Sequence, residues 1–299
     1  MAYSKDALEV GSYRAQRTSE HVWRIVDPFG VAMYLVVGTQ RAALIDTGYG
    51  LPGLRACVEQ ITQLPVVVLL SHGHVDHAMG AAEYGEAYLS EADLPVFRAH
   101  GSHAFRIAFA AAAGVTDIQL MDSLPEHRLL PLNDGDAFDL GEVSVRAFAL
   151  PGHTMGSMAF LIDTDRLMMY GDACGPGTIL LEDWSADIAT YHAALVRMKD
   201  MEDSYDRILR NHGAYESPVT LLDDVIEACE AVLADADDRE PMSVQAAALL
   251  PGGSATTPIF RACRSVMEDG VERRVDGRHG NVTYRADKAP WYRERENHA

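Results

Sequence analysis

His72, His74, Asp76 and His77 place three imidazoles and a carboxylate within six residues. They directly follow the apolar run 64–70, which is short, continuous and rich in β-branched residues and so reads as a buried strand. Four groups that bind divalent cations gain little from crowding in water unless a cation offsets their desolvation and fixes their geometry. The cluster therefore reads as half of a metal site at the end of a strand. Candidates for the other half occur in three later turns: His153 after Pro151-Gly152, Asp172 after Gly171, and His212 before Gly213. Taken singly, each has a blander reading, a surface histidine or a turn aspartate.

The elements needed to position these groups are legible as apolar runs. Strands are expected at 22–26, 31–37 and 41–48, punctuated by Gly30 and the turn 38–40, and their short spacing predicts an antiparallel meander. Asp46 ends the third, either as a turn former or as an acceptor that orients a ligating imidazole. Residues 51–64 carry Leu54, Cys57, Val58 and Ile61 at near-helical intervals, so a helix returns the chain to the strand before His72. Another helix opens at 78–84. Two more are expected between Ser90 and Gly114; they carry His100 and His103, read as surface or packing histidines, with the alternative that one reaches a substrate pocket from an insertion above the metal centre. Strand signals resume at 128–132, 137–140 and 142–150, the last running into His153. Further strands at 158–162 and 167–170 lead to Asp172, and 206–212 leads to His212. Every candidate thus follows an apolar strand, which is how a sheet brings sequence-distant groups to one rim.

Composition narrows the class of partner. The chain has 299 residues, 48% of them apolar, ample for a sizeable core. With 25 Lys and Arg against 44 Asp and Glu, its formal charge of −19 argues against a surface that follows a phosphate backbone, so no nucleic-acid partner is expected. The first residues carry no apolar signal core, and no run of apolar sequence is long enough to span a bilayer. The expectation is a cytoplasmic protein without a membrane partner. Cys57, Cys174, Cys229 and Cys263 lack CxxC spacing and read as small buried apolar residues.

The His-x-His-x-Asp-His cluster followed in order by His153, Asp172 and His212 resembles the metallo-β-lactamase-fold hydrolase superfamily. So do the segment Leu44-Ile45-Asp46-Thr47-Gly48, the loop His153-Thr154-x-Gly156-Ser157 and the turn Gly171-Asp172; the match covers roughly residues 20 to 215. The resemblance implies an α/β fold, a four-layer αββα sandwich of two mixed β-sheets flanked by helices, with the site along one edge. It implies that His72, His74 and His153 hold one metal, that Asp76, His77 and His212 hold a second, and that Asp172 bridges them. Imidazoles suit zinc at about 2.0–2.1 Å, while the carboxylates also admit iron or manganese; zinc is the expectation.

Two cations flanking a water lower its pKa and make a hydroxide nucleophile without a side-chain one. The expected enzyme is therefore a dinuclear metallohydrolase that attacks an ester, thioester or lactone carbonyl of a small acyl substrate. Asp76 would move a proton to the leaving group, Asp46 would hold a ligand imidazole, and Tyr215 would either hydrogen-bond an oxyanion or pack. Thr154 and Ser157 fall near the site, and Cys174 is read as a wall of its pocket. Asp76 and Asp172 look more like the hydroxyacylglutathione hydrolase, acyl-homoserine lactonase and RNase Z branches than like true β-lactamases. Yet Ala173-Cys174-Gly175-Pro176 stands where the lactonases usually place a tyrosine, the stretch after His212 is acidic where a glutathione site would want cations, and the overall acidity sits badly with RNA. The alternatives are a di-iron redox or non-hydrolytic metal-binding protein on the same fold, and behind them a phosphodiesterase.

The domain organisation expected is a catalytic unit over 1–215, with a helical insertion at about 90–125, and an appendage to it over 216–299. Within the appendage, 218–233 reads as a helix with Ser217 as N-cap and Pro218 at its first position. A charged turn follows at 235–241, and strand-like pieces stand at 256–262 and 281–285. The appendage either covers a sheet edge or forms the arm of a homodimer. Residues 291–299 are polar enough to fray.

Overall fold

The structure is a computed structural model that describes residues 6–112, 114–242, 257–268 and 271–296. Its first sheet takes eight strands in chain order: β1 (Ala7–Val10), β2 (Tyr13–Arg17), β3 (Val22–Val26), β4 (Ala32–Val37), β5 (Ala42–Ile45), β6 (Val66–Leu69), β7 (Ala87–Leu89) and β8 (Leu129–Pro131). The strands β1 to β5 pair antiparallel, so the expected meander is present, with β1 and β2 added before it. From β5 onward each strand joins parallel, and each parallel join needs a crossover. Helix α1 (Leu54–Ile61) supplies the first. The short α2 (Val75–Ala78), continued by a 3₁₀ turn, supplies the second, and α3 (Leu94–Gly101) with α4 (His103–Ala112) supplies the third.

The second sheet contains β9 (Ala137–Asp139), β10 (Ser144–Ala149), β11 (Met158–Ile162) and β12 (Leu167–Met169). After β13 (Thr178–Leu180), which lies in a different sheet, and α5 (Ile188–Met198), it is completed by β14 (Arg207–Leu209) and β15 (Glu216–Ser217). Only β12 and β14 pair parallel, and α5 makes that crossover.

Alternation along the strands explains the layers. Tyr34, Val36, Ala43 and Ile45 of the first sheet pack against Val145, Ala147, Phe160 and Met169 of the second. The opposite face of the same strands, Met33, Leu35, Ala42 and Leu44, buries against Leu54, Cys57 and Val58 of α1. On the far side, Leu161, Met168 and Ile208 bury against α5 and α6 (Leu221–Leu233). These strands are apolar on both faces because each sheet has a helix on one side and the other sheet on the other. The architecture is the expected αββα sandwich, and each large aliphatic side chain buried in it contributes about 1.5–3 kcal/mol.

The C-terminal region adds a smaller sheet. It comprises β13 together with β16 (Glu240–Pro241), β17 (Ile259–Arg261) and β20 (Val282–Arg285) in the order β13-β20-β17-β16. Between β17 and β20 the strands β18 (Ser265–Glu268) and β19 (Val271–Arg274) form a separate hairpin. Helix α6 starts at Leu221, three residues later than its cap signal, because Glu216 and Ser217 are recruited into β15 against Leu209 and Ile208. The tail helix α7 (Pro290–Glu296) forms where fraying was expected. Trp291 anchors it, with the Arg239 guanidinium 4.0 Å from its ring centre. Part of the strand-like piece that begins at Thr256, and Asn297 to Ala299, lie outside the described residues.

Candidate metal centre

All seven candidate residues arrive at one rim, each on the loop or short helix after a strand. β6 leads into Ser71-His72-Gly73-His74 and then α2, which carries Asp76 and His77; β10 leads to His153, β12 to Asp172 and β14 to His212. Gly73 is required within this loop, since a Cβ there would lie 2.7 Å from Phe97 N and 2.9 Å from Asp93 O where the insertion packs on it.

Among the clusters of donor atoms that result, in each of which one atom per residue lies within 4.8 Å of the others, two carry six of the seven candidates: His72, His74 and His153, and Asp76, His77 and His212. His153 Nε2 faces His74 Nδ1 at 2.9 Å, and His77 Nε2 faces His212 Nε2 at 3.2 Å. Asp172 Oδ2 stands between the clusters, 3.3 Å from His212 Nε2, 3.6 Å from His77 Nε2 and 4.0 Å from His153 Nε2.

The opposite ring nitrogens are engaged by acceptors, which decides what the inward ones offer. His77 Nδ1 is 2.9 Å from Asp46 Oδ2, His153 Nδ1 is 2.8 Å from Ile179 O, and His74 Nε2 is 3.0 Å from Glu182 Oε2. If each outward nitrogen carries the proton, every inward one presents a lone pair. His72 Nε2, within reach of both clusters, is buried with no hydrogen-bond partner. Lone pairs converging at 3 Å repel unless a proton or cation lies between them, so the donor set fits divalent metal ions.

Charge tells the same story. Burial and the neighbouring imidazoles push His72 well below its ordinary range, and burial lowers His74 to about 4, against Glu182. Burial also disfavours charge on His77, but Asp76, Asp172 and Asp46 outweigh it and raise His77 well above its ordinary range. Asp172 is held well below the carboxylate range by His212 and His77 against its burial. Because metal ions bind deprotonated imidazoles and carboxylates, binding of a cation here would compete with protons.

Asp46 is a buried hub. It accepts from Ser71 N and Ser71 Oγ at 2.7 Å each and from Asn211 Nδ2 at 2.9 Å, besides His77. Its left-handed backbone, φ 63°, costs of the order of 1 kcal/mol, which these four contacts offset. Tyr215 points elsewhere. Its hydroxyl donates to Gly30 O at 3.0 Å, its ring lies under the Arg24 guanidinium, and it does not line the cavity at the centre. Cys174 turns into the core between the second sheet and its helices, where burial raises its thiol, and it too is absent from the cavity wall.

Three contributors were not foreseen. Glu182, 2% exposed, accepts from His74 and lies 3.4 Å from His100 Nε2, so a histidine of α3 buttresses the centre while His103 stays exposed. Burial disfavours charge on Glu182, but the two histidines hold its carboxyl well below its ordinary range. Asp93, fully buried, accepts from Gly73 N, Thr154 Oγ1 and Gly156 N at 2.7, 2.8 and 2.8 Å and so ties the two ligand loops together. Arg210 lines a cavity of about 350 Å³ that opens on the centre and also exposes Asp76, Asp172 and His212.

The family model of the metallo-beta-lactamase superfamily matches residues 26–212. The lactamase-like protein vrtG of Penicillium aethiopicum is 28% identical over 190 residues, 62% of this chain and 52% of its own length. The chain thus spans about half the length of that relative. The human acyl-coenzyme A thioesterase MBLAC2 is 25% identical over 209 residues, covering 60% of this chain and 72% of its own. Among solved structures, a metallo-beta-lactamase from Pontibacter korlensis superposes with a TM-score of 0.51 at 18% identity, covering 73% of this chain and 99% of the other, a likeness of fold.

Proposed function

The chain belongs to the metallo-beta-lactamase superfamily, as a hydrolase, and on that premise we propose that it cleaves the acyl bond of a small ester, thioester or lactone at a dinuclear centre. The observation that carries this reading is the pair of donor clusters sharing Asp172 at the mouth of one cavity. His72, His74 and His153 would hold one ion, Asp76, His77 and His212 the other, and Asp172 both. Bound divalent ions, zinc for a donor set so rich in imidazole, supply an acidified water as nucleophile and a positive charge for the developing oxyanion.

The chain's own residues do the rest. Asp46 and Glu182 keep His77 and His74 in the tautomers that turn lone pairs inward, and Ile179 O does so for His153. Asp76 Oδ2 faces His77 and His212. Its other oxygen, Oδ1, would carry a proton to the departing alcohol or thiol. No Ser or Cys nucleophile is required, consistent with a Cys174 thiol raised by burial and kept from the cavity. The human thioesterase relative supports the acyl-thioester end of the substrate range.

Metal analysis of protein purified without chelator, joined to a panel of esters, lactones and thioesters, tests the proposal. Two zinc ions per chain and hydrolysis lost by more than about a thousandfold in His74→Ala are expected. A coloured iron protein inert towards the panel would instead favour redox chemistry on the same ligands.

A further inference from the structure

We propose that Arg210 makes the cavity a receptor for an acyl group that carries its own carboxylate, an inference that rests on the hydrolase reading above. Among the described residues, Arg210 is the sole Lys or Arg lining the cavity. It is half-buried, at the end of β14 and two residues before His212. Its Nη2 donates to His212 O at 3.0 Å, while its Nε is buried with no hydrogen-bond partner. No carboxylate stands within ion-pair distance of it among the described residues. The carboxylates nearby are committed elsewhere: Asp76 and Asp172 face the inward imidazoles, and Glu182 is shared by His74 and His100.

A partly desolvated guanidinium with no carboxylate in direct contact is costly, and its planar fork matches a carboxylate in two parallel hydrogen bonds. At two positions the neighbouring wall carries no side chain. Gly175 presents no side chain, and a Cβ there would lie only 3.2 Å from Arg210 Nη1; a Cβ at Gly177 would meet nothing within 4 Å. Phe109, Ile179 and Leu181 supply apolar surface in the same cavity. The combination of apolar wall, one fork-shaped cation and an adjacent metal centre fits a short acyl chain with its scissile carbonyl at the metals and a terminal carboxylate on Arg210.

The phenyl thioesters of glutaric and pentanoic acid differ only in a terminal carboxylate against a methyl, and share a leaving group. Metal-loaded native protein is expected to prefer the glutaryl thioester in kcat/KM. In Arg210→Gln that preference should shrink by about 10- to 100-fold, chiefly through KM, with Arg210→Lys intermediate because it keeps the charge and loses the fork. A native enzyme with no preference, or a preference unchanged in Arg210→Gln, overturns the proposal. Should neither thioester be hydrolysed, the ester and lactone panel decides the hydrolase reading, and calorimetric binding of glutarate against pentanoate to the metal-loaded protein decides the subsite separately. Tighter glutarate binding that is lost in Arg210→Gln upholds it; equal binding of the two acids, or an advantage that survives the substitution, refutes it. Thermal melts of both variants identify any misfolded protein, in which case Arg210→Lys alone carries the comparison.

Discussion

An imidazole has two nitrogens, and the partner of the outward one decides whether the inward one can bind a cation. At His77 that partner is Asp46, legible in advance because an aspartate closing an apolar strand is a recognisable orienting group. At His74 it is Glu182, with no such signal, since 108 residues separate the two. Glu182 is nonetheless the more consequential case: it is almost fully buried, and its two carboxyl oxygens face His74 and His100. Replacing it by glutamine retains an acceptor but removes the charge that strengthens the basicity of His74. Glu182→Gln should therefore weaken zinc binding by about 10- to 100-fold, measured by competition with a chromophoric chelator. An affinity within error of the native one would mean that Glu182 merely fills space beside His74.

At the scale of elements, what was legible is that each candidate residue follows a strand. The runs before His72, His153, Asp172 and His212 are apolar and bounded by Gly or Pro, so their existence and type could be read, as could α1 and the two insertion helices. Three-residue strands such as β7 and β13 were missed because they are too short to display a period. Helix α5 did have a signal: Asp187 accepts from Thr190 N as an N-cap, with Ile188, Tyr191, Leu195 and Met198 on the buried face behind it. The start of α6 was misplaced because strand pairing with β14 overrode a good local cap. Asp93 was illegible for another reason: its three donors come from loops 20 residues before it and 61 to 63 residues after it, joined only once both sheets have formed. The same geometry makes Gly156 obligatory, since a Cβ there would lie 2.6 Å from Asp93 Oδ1. Asp93→Ala leaves Gly73 N and Gly156 N without their acceptor in a dry interior, and urea unfolding should show a loss of about 2–4 kcal/mol. A loss below about 0.5 kcal/mol would place the joint between the loops elsewhere.

Across the whole molecule, the region after residue 215 bears on the centre although it contributes no ligand. β20 pairs in parallel with β13, whose Ile179 O receives His153 Nδ1–H. The loop between β13 and α5, which holds Glu182, is clamped from the same side. Arg285 Nη1 donates to Leu181 O at 3.1 Å, and Lys288 Nζ, 6% exposed, donates to Ser185 O at 2.6 Å. Ser185 Oγ in turn donates to His153 O at 2.7 Å. Burial lowers the Lys288 ammonium, and the nearby Arg285 adds to the effect. Covering a sheet edge, the simplest expectation for such an appendage, would not require a buried lysine aimed at the loop beside a ligand. Lys288→Met, which preserves the apolar stem and removes the donor, should lower the melting temperature and weaken zinc affinity by less than about tenfold, because it acts through the groups that hold His74 and His153 rather than on them. The pairing of the two losses is the informative part: a lower melting temperature with native zinc affinity would reduce this region to a cover, whereas loss of affinity in a variant that melts normally would make it part of the scaffold that sets the centre.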